Sequence, residues 1–384
     1  MAGFDFSEAQ EMFRREVRGF VQAELAPRSK EIAKMESVPR DVAKKLGEAG
    51  LIGIIVPEEE GGQGGDWVSL GIACEELAKG AAFAAPYVIT QGVLGYTWLQ
   101  DTSEEVRQEW LLPIIKGDKM CSWGLTEPGA GSDAVAIQTL AVKEGEYYIL
   151  NGEKAPITFG TAIDVIGLCA RTDPKAKARG ITLFWLPMDL PGITKTRMPH
   201  TGWKPMSSAS MFLDNVRLPA KYRVGEEGAG FSAAMGVTDV ARVGQALTAL
   251  GLAEISLEET ISYALQRTAF GQPIARFEGV SFKIAEHATL LEAARLLCYR
   301  TLYLHDQGIA HRKETAMCKW WCPQVAFDAI HDCLLIHGHL GYSEEFPLEQ
   351  RLRDVLGIEF TDGTADMMKI TVARELMGKM AVPY

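Results

Sequence analysis

A glycine-rich segment near the middle of the chain has the residue types of a turn that binds an anion or a cofactor. It reads Thr126-Glu127-Pro128-Gly129-Ala130-Gly131-Ser132-Asp133. Glycines allow the backbone N–H groups of a tight turn to converge on one acceptor, and Thr126 and Ser132 add hydroxyls. No Gly-Lys-Ser/Thr follows, so the segment is not a P-loop. On glycine content alone, a solvent-exposed loop between two parts of the chain is the favoured interpretation.

Two further segments carry a charged residue at the end or the beginning of a predicted helix. Arg267 precedes Gly271–Pro273, which ends a helix. It therefore suits either the helix dipole or a bound phosphate. In the segment Thr361–Thr364, either Asp362 or Thr364 is suited to cap the next helix. On these residues alone, capping is the favoured role for both charged side chains.

Histidine and cysteine patterns do not favour metal or disulfide chemistry. His337 and His339 flank one glycine near a helix end, without a clear third ligand, so we predict no metal site. The seven cysteines are odd in number and irregularly spaced, which predicts reduced thiols. Cys318 and Cys322 are four residues apart and are interpreted as buried thiols on one helix face.

Composition indicates a large folded protein. The chain has 384 residues, of which 47% are hydrophobic and 23% charged, enough for two or three packed units. Its formal net charge of −11 argues against a nucleic-acid partner held by phosphate contacts. We find no run of about 18 apolar residues and thus predict no membrane span. The N-terminal residues lack a secretory pattern, and with reduced thiols they predict a cytoplasmic location.

The pattern along the chain is helices, then strands, then helices, which predicts an α+β fold. The three zones are residues 1–117, 118–228 and 229–384. Ser7 and Gln10 predict a capping box at the first helix. Tyr147–Leu150 predicts a strand, and Asn151-Gly152 after it predicts a hairpin turn. Other predicted helices are Pro39–Ala49, Trp67–Lys79, Gln91–Gln100, Ala233–Arg267, Val280–Gly308 and Lys313–His337.

Together these segments resemble the acyl-CoA dehydrogenase family over essentially the whole chain. The matching motifs are Leu125–Asp133, Leu150–Lys154 with Ile157-Thr158, Arg267–Gly271, Leu352–Asp354 and Asp362–Thr364. The resemblance implies an N-terminal α-helical domain, a middle β-barrel domain and a C-terminal four-helix bundle, divided as the three zones are. It also implies FAD as cofactor and a homotetramer.

The resemblance assigns roles to individual residues. Thr126 and Thr158 are expected near the flavin ring, and Arg267 and Phe270 are expected to contact the FAD of a neighbouring subunit. The implied cofactor-binding residues are Trp123, Leu125, Thr126, Gly131, Ser132, Ile157, Thr158, Arg267, Phe270, Gly338 and Thr364. The implied acyl-CoA-binding residues are Thr90, Gln91, Ser132, Asp239 and Arg242.

The family reaction is α,β-dehydrogenation of an acyl-CoA thioester. A carboxylate removes the α-proton while a hydride leaves the β-carbon for flavin N5, and reduced flavin passes its electrons to an electron-transferring flavoprotein. Asp362 occupies the position of the catalytic glutamate. The base position that some members use instead is Ala241 here, so the resemblance makes Asp362 the base.

Several residues depart from the family pattern. Aspartate is one methylene shorter than glutamate, about 1.5 Å less in reach, and a misplacement of that size can cost about 100-fold in rate. A bulkier α-carbon would fill this space, which favours an alicyclic or α-branched substrate such as cyclohexane-1-carboxyl-CoA. The other departures are Pro156, Glu278, Leu335 and His339, at positions expected near FAD.

Two alternative functions follow from the same aspartate. Nitroalkane oxidases share the fold and use an aspartate base without binding CoA. Ser132, Asp239 and Arg242, which match acyl-CoA contacts, argue against that function. The second alternative is a non-catalytic FAD-binding partner subunit, which a carboxylate at position 362 disfavours.

Overall fold

The computed structural model describes residues 5–381 and consists of helices, a sheet and helices in succession, which confirms the predicted order. Seven α-helices precede the sheet in the described chain. They are α1 (Glu8–Phe20), α2 (Ala26–Ile32), α3 (Arg40–Glu48), α4 (Trp67–Gly80), α5 (Ala84–Val88), α6 (Gly95–Leu99) and α7 (Glu104–Ile115).

The N-terminal helices begin and continue by identifiable local devices. The Ser7 hydroxyl accepts from the Gln10 backbone N–H at 3.2 Å, and the Gln10 side-chain oxygen accepts from the Ser7 N–H at 3.1 Å. This pair confirms the predicted capping box. π-helical turns at Val21–Leu25 and Ile89–Leu94 join α1 to α2 and α5 to α6. Such wide turns often occur at functional sites, and the second borders the cavity described below.

The middle part is a mostly antiparallel sheet. Its strands are β1 (Cys121–Gly124), β2 (Leu140–Glu144), β3 (Tyr147–Ile157), β4 (Val165–Arg171), β5 (Ile181–Pro187), β6 (Ile193–Met198), β7 (Ser208–Pro219) and β8 (Arg223–Val224). The strand order is β6-β7-β3-β2-β4-β5-β8, with β1 parallel to β4. The hydrogen-bonded ladder of the described strands runs open from β6 to β8, so the middle β-domain is a sheet without the ring closure of a barrel.

The predicted Asn151-Gly152 turn is wrong. Both residues lie inside β3, which pairs with β7 on either side of a register shift between Leu150 and Gly152. Gly152 has φ 151°, and a Cβ there would come within 2.6 Å of the Thr139 hydroxyl. Glycine within a strand permits such a bulge and close approach. The turn between β2 and β3 is instead at Gly145, which has φ 60°.

The last part is a helical bundle. Its elements are α8 (Gly230–Gln266), β9 (Thr268–Ala269), β10 (Gln272–Pro273), α9 (Glu278–Asp306), α10 (Arg312–His337), α11 (His339–Tyr342), α12 (Leu348–Phe360) and α13 (Ala365–Met377). Helix α10 packs against α8, α9, α12 and α13. Helix α4 packs on α8 and α9, and a Cβ at Gly251 of α8 would lie 2.4 Å from the Glu75 carbonyl oxygen of α4. Small residues on α8 therefore let the first and last parts share one core.

Within residues 5–381, no helix combines the length and apolarity that a membrane crossing requires. The same residues contain no group of three or more His, Cys, Asp or Glu side chains arranged to hold a metal ion. The seven cysteines are buried free thiols. Cys298 and Cys322 face each other across α9 and α10, with their sulfur atoms 3.5 Å apart.

Candidate active site

A cavity of about 860 Å³ lies where the three parts of the chain meet. Its walls come from the Pro86–Leu94 segment, the β1 and β3 strands, the loop after β6, helix α8 and the turn between α12 and α13. Apolar and polar side chains line the cavity in about equal number, and apolar atoms contribute most of its surface. This combination and size are typical of a site that encloses an organic ligand.

Asp362 lies in the turn between α12 and α13 and borders the cavity. Its backbone is left-handed, with φ 55°, which is uncommon for a residue with a side chain. Thr364 is the residue that caps α13, because its hydroxyl accepts from the Met367 N–H at 3.3 Å. Within residues 5–381, no group donates a hydrogen bond to the Asp362 carboxylate. The Asp362 carboxylate is therefore not a cap of helix α13.

Opposing influences act on the ionisation of Asp362. The side chain is partly open to the cavity but otherwise surrounded by protein. Burial raises the pKa of Asp362 above its usual range, whereas the positive charges of Lys319 and Arg242 lower it. A raised carboxyl pKa is a property that a general base needs, because it strengthens the affinity for a proton.

Arg242 is held on the backbone next to the cavity. Its Nε donates to the Asp362 carbonyl oxygen at 2.8 Å, and its Nη1 lies 3.0 Å from the Asp239 carboxylate on the same helix. Helix α8 thus brings Asp239 and Arg242 beside the turn of Asp362, as residues three apart on one helical face. Ala241, between them, lines the cavity.

Trp123, Pro156 and Thr158 form the cavity wall opposite the helices. The Ser122 hydroxyl donates to the Thr158 carbonyl oxygen at 2.6 Å and so fixes the end of β3. Ile157 is buried behind this wall. The structure therefore places Trp123 and Thr158 in the same cavity as Asp362, although more than 200 residues separate them in sequence.

The glycine-rich loop is fixed by a buried ion pair that the sequence analysis missed. Lys154 Nζ donates to the Glu127 carboxylate at 2.7 Å and to the Leu125 carbonyl oxygen at 3.0 Å. The other Glu127 oxygen accepts from the Gln138 N–H at 2.6 Å. The Ala155 N–H donates to the Thr126 carbonyl oxygen at 3.0 Å. The signal was present in the sequence, since both charges belong to the matching motifs.

A second missed pair of residues clamps the loop after β6. Arg353 Nη1 donates to the Thr201 carbonyl oxygen at 2.6 Å, and the Asp354 carboxylate accepts from the Trp203 N–H at 2.6 Å. Burial raises the pKa of Asp354 to about 6. A Cβ at Gly202 would lie 2.3 Å from the Arg353 carbonyl oxygen, so only glycine fits between the loop and α12. The motif at 352–354 thereby shapes one cavity wall.

The two residues predicted near the acyl group lie in different surroundings. Thr90 borders the cavity, and its hydroxyl donates to the Pro86 carbonyl oxygen at 2.8 Å. Gln91 is completely buried, and its amide pairs with the backbone of Cys121 in both directions, at 2.7 and 2.9 Å. Gln91 therefore lies outside the cavity wall and anchors β1 to the N-terminal helices.

Arg267, Phe270 and Gly338 lie on the surface of the bundle, away from the cavity. Phe270 is at the tip of the hairpin between β9 and β10 and is 96% exposed. Phe270 and Gly271 have φ 51° and 79°, the conformation of a type I′ turn. Gly338, with φ 60°, ends α10. Within one chain these residues do not meet Asp362.

The residues around the cavity fit FAD. The Trp123 indole, the Pro156 ring and Thr158 offer a mixed apolar and polar wall for a flavin ring. The loop exposes Gly131 and Ser132, and a Cβ at Gly129 or Gly131 would meet no atom within 4 Å. The backbone of this turn is thus open to close approach by a bound group.

Comparison with known families agrees with this geometry. Three family models match successive parts of the chain: the acyl-CoA dehydrogenase N-terminal domain at residues 7–118, the middle domain at 122–216 and the C-terminal domain at 228–377. The chain is 36% identical over 374 residues to an acyl-CoA dehydrogenase of Bacillus subtilis, covering 97% of this chain and 99% of the relative.

Two further relatives are named together with a partner or a cofactor of their own. The subunit CarC of the caffeyl-CoA reductase–Etf complex of Acetobacterium woodii is 35% identical over 377 residues, covering 97% of this chain and all of the relative. The structure of a glutaryl-CoA dehydrogenase from Mycobacterium smegmatis in complex with FADH2 matches with a TM-score of 0.93 at 29% identity, covering 99% and 97% of the two chains. The chain belongs to the acyl-CoA dehydrogenase family, and it is an FAD-dependent oxidoreductase of the CH–CH group of acyl-CoA thioesters.

Proposed function

We propose that this enzyme dehydrogenates an acyl-CoA between its α- and β-carbons, with Asp362 as the base that removes the α-proton. The observation that carries the proposal is the Asp362 carboxylate, which borders the cavity without a hydrogen-bond donor from the described residues. A carboxylate that neither caps a helix nor forms an ion pair is available to accept a proton from a ligand.

The residues around the cavity perform separate parts of this reaction. FAD, when bound, supplies the acceptor for the hydride that leaves the β-carbon. Asp362 holds the α-proton, and the raised pKa of its carboxyl group improves it as an acceptor. Arg242 fixes the Asp362 carbonyl and thereby the direction of the side chain. The apolar walls exclude water, which strengthens the electrostatic interactions of the thioester.

Two other carboxylates border the cavity and compete for the role of base. Asp366 is exposed, with 90% of its side chain open to solvent, whereas the reaction needs a base in a site that excludes water. Glu359 is half-buried, and burial raises its pKa, with Asp328 adding a further increase. Glu359 is therefore the rival that a test must separate from Asp362.

We expect an alicyclic or α-branched acyl group, such as the conversion of cyclohexane-1-carboxyl-CoA to cyclohex-1-ene-1-carboxyl-CoA. Aspartate leaves about 1.5 Å more room at the α-carbon than glutamate would, and a ring carbon fills that room. The cavity of about 860 Å³ accommodates a ring. The smaller side chain is thus matched to a bulkier reacting carbon.

We further propose that an electron-transferring flavoprotein takes up the electrons and that the chain acts as a homotetramer. The relative from Acetobacterium woodii is named as part of an Etf complex. The exposed Phe270 at the hairpin tip is suited to reach the cofactor of another subunit. The complex of the relative from Acetobacterium woodii is named a reductase, so an enzyme of this kind with its flavoprotein partner is also suited to reduce an enoyl-CoA.

The test is anaerobic flavin bleaching by straight, branched and cyclic acyl-CoAs, with wild type, Asp362→Asn and Glu359→Gln. We expect Asp362→Asn to reduce its flavin at least about 1000-fold more slowly, in line with the loss of a general base. We expect Glu359→Gln to remain within about tenfold of wild type. Rapid bleaching by Asp362→Asn, or its loss in Glu359→Gln alone, contradicts the assignment of the base.

The substrate panel tests the acyl group separately. Faster bleaching by the cyclic thioester than by butyryl-CoA supports the alicyclic substrate. Equal or faster bleaching by the straight chain removes the argument from the shortened base. Oxygen-dependent turnover of nitroethane without any response to acyl-CoA would replace the proposed reaction with nitroalkane oxidation.

A further inference from the structure

Lys319 is a buried lysine that the proposed reaction does not yet use. It lies on α10 beneath the turn that carries Asp362, and it is completely buried. Its Nζ donates to the Ile358 carbonyl oxygen at 2.7 Å and to the Gly363 carbonyl oxygen at 3.1 Å. One of these oxygens lies near the end of α12 and the other just after Asp362. Lys319 therefore holds the turn at both ends.

The charge of Lys319 needs a reason beyond hydrogen bonding. An uncompensated buried charge is costly, and a methionine of similar length would fill the same volume without that cost. Among the described residues, no carboxylate lies within ion-pair distance of Lys319. Burial lowers the pKa of Lys319 to about 8, and the negative charge of Asp362 is the leading influence in the opposite direction. Asp362 is therefore the carboxylate whose charge acts most strongly on Lys319.

Other charges around this pair are accounted for. Arg242 also lies beside Asp362, but its guanidinium is already paired with a carboxylate at 3.0 Å. Besides each other, Asp362 and Lys319 are influenced by the charges of Arg242 and Glu359. Arg242 is paired with Asp239, and Glu359 is influenced by Asp328. Lys319 is therefore the buried cation whose charge is not already used by a neighbouring carboxylate.

We propose that Lys319 is a positioning residue for the base: it fixes the left-handed turn at Asp362 and Gly363 through its hydrogen bonds to the Ile358 and Gly363 carbonyl oxygens, and it supplies a buried positive charge that acts on the Asp362 carboxylate. The inference rests on the proposed function, since it acts through Asp362. The turn has φ 55° and 114° at these two residues, a geometry that needs such outside support. A misplacement of about 1 Å at a reacting group can cost about 100-fold in rate.

The test uses the FAD-loaded enzyme and the acyl-CoA that bleaches it fastest. Lys319→Gln retains a donor for the carbonyl groups but removes the charge, and Lys319→Met removes both. Lys313→Met, on the same helix and at the surface, is the matched control. The measured quantities are the single-turnover rate of flavin reduction from pH 5 to 9, the isotope effect with α-deuterated substrate, and FAD content.

The acid limb is the pH range in which the rate of flavin reduction falls as the base becomes protonated. We expect Lys319→Gln to shift this acid limb to higher pH by at least about one unit, because a nearby opposite charge lowers a carboxyl pKa by that amount or more and the variant loses that charge. Lys319→Met adds a fall of about 10- to 100-fold in the plateau rate and a larger isotope effect. An acid limb and plateau that both match Lys313→Met in a folded, FAD-loaded Lys319 variant overturn the proposal.

A double-variant cycle separates this proposal from the proposed function. We expect Lys319→Met to have little further effect when Asp362→Asn is already present, because the positioned group is gone. The same fold-loss in both backgrounds means a purely structural lysine and overturns the inference. If Asp362→Asn alone reduces its flavin at the wild-type rate, the proposed function fails, whatever Lys319 does.

Lys319→Arg keeps the test decisive if the neutral variants do not fold. Arginine retains the positive charge but displaces the donors from the two carbonyl oxygens. We expect an unchanged acid limb and a plateau rate reduced by at least about tenfold. A wild-type plateau in Lys319→Arg contradicts the positioning role, and a shifted acid limb contradicts the role of the charge.

Discussion

Lys154 and Glu127 form a buried ion pair, Nζ to Oε1 at 2.7 Å, between strand β3 and the glycine-rich loop. Lys154 is completely buried and Glu127 is 8% exposed. Breaking such a pair on one side leaves an uncompensated buried charge, which costs about 3–5 kcal/mol. The pair thus links the stability of the sheet to the shape of the loop at Leu125 and Thr126.

We expect Lys154→Met to lower the free energy of unfolding by about 3–5 kcal/mol and to release FAD more readily, because the loop loses its anchor. Urea unfolding and the flavin content after gel filtration measure the two effects. Lys143→Met, on the exposed neighbouring strand β2, serves as control and should change neither. A Glu127→Gln/Lys154→Met double variant should be more stable than Lys154→Met alone, and a still lower stability would contradict the pair.

The raised pKa of the Asp354 carboxyl group predicts that the stability of the folded chain depends on pH. Burial raises its pKa in the folded chain to about 6, above the value of 3.8 for an ordinary aspartate. The folded state therefore binds the proton more tightly, and stability from this group decreases as pH rises through that interval. The stability of wild type minus that of Asp354→Asn should fall by about 2 kcal/mol between pH 4.5 and 7. Urea unfolding at both pH values measures it, and a constant difference would disprove the shift.

Removal of the Arg353 guanidinium should weaken the affinity for the acyl-CoA substrate. Its bond to the Thr201 carbonyl oxygen holds the loop that forms one cavity wall. We expect Arg353→Met to raise KM for acyl-CoA about tenfold with kcat within about threefold, because a loosened wall weakens binding in ground state and transition state alike. Steady-state kinetics measure both constants. The exposed Arg300→Met is the control, and a kcat loss with unchanged KM would assign Arg353 a different role.

A substitution at the exposed Phe270 should affect assembly of the subunits without affecting the folding of the single chain. Asparagine tolerates the left-handed backbone of this position better than phenylalanine does. Phe270→Asn should therefore leave the unfolding free energy of the single chain unchanged or higher, while FAD retention and the fraction of the proposed tetramer fall. Analytical ultracentrifugation and flavin absorbance measure these quantities, with Met12→Gln on α1 as an exposed control. Full FAD retention in an assembled Phe270→Asn protein would argue against a contact between subunits.

Local patterns in the sequence predicted the long helices and the strand β3. Ser7 and Gln10 predicted their own capping box, and helical periodicity predicted α8, α9 and α10 closely. Such features depend on neighbours three or four residues apart, which a sequence displays directly. Asn151-Gly152 misled because glycine permits both a turn and a bulge, and only the pairing of β3 with β7 selects the bulge.

The site needed the tertiary structure. The sequence motifs, with the family resemblance, supplied Asp362, Thr158 and the glycine-rich loop as candidates, but the residues around Asp362 by themselves favoured capping over catalysis. Only the folded chain shows that Thr364 caps α13 while the Asp362 carboxylate borders a cavity shared with Thr158. Lys319, 43 residues before Asp362, carries no local signal of its role. Its contact with the turn arises from the packing of α10 on α12 and α13, and long-range packing of this kind is what a linear pattern does not encode.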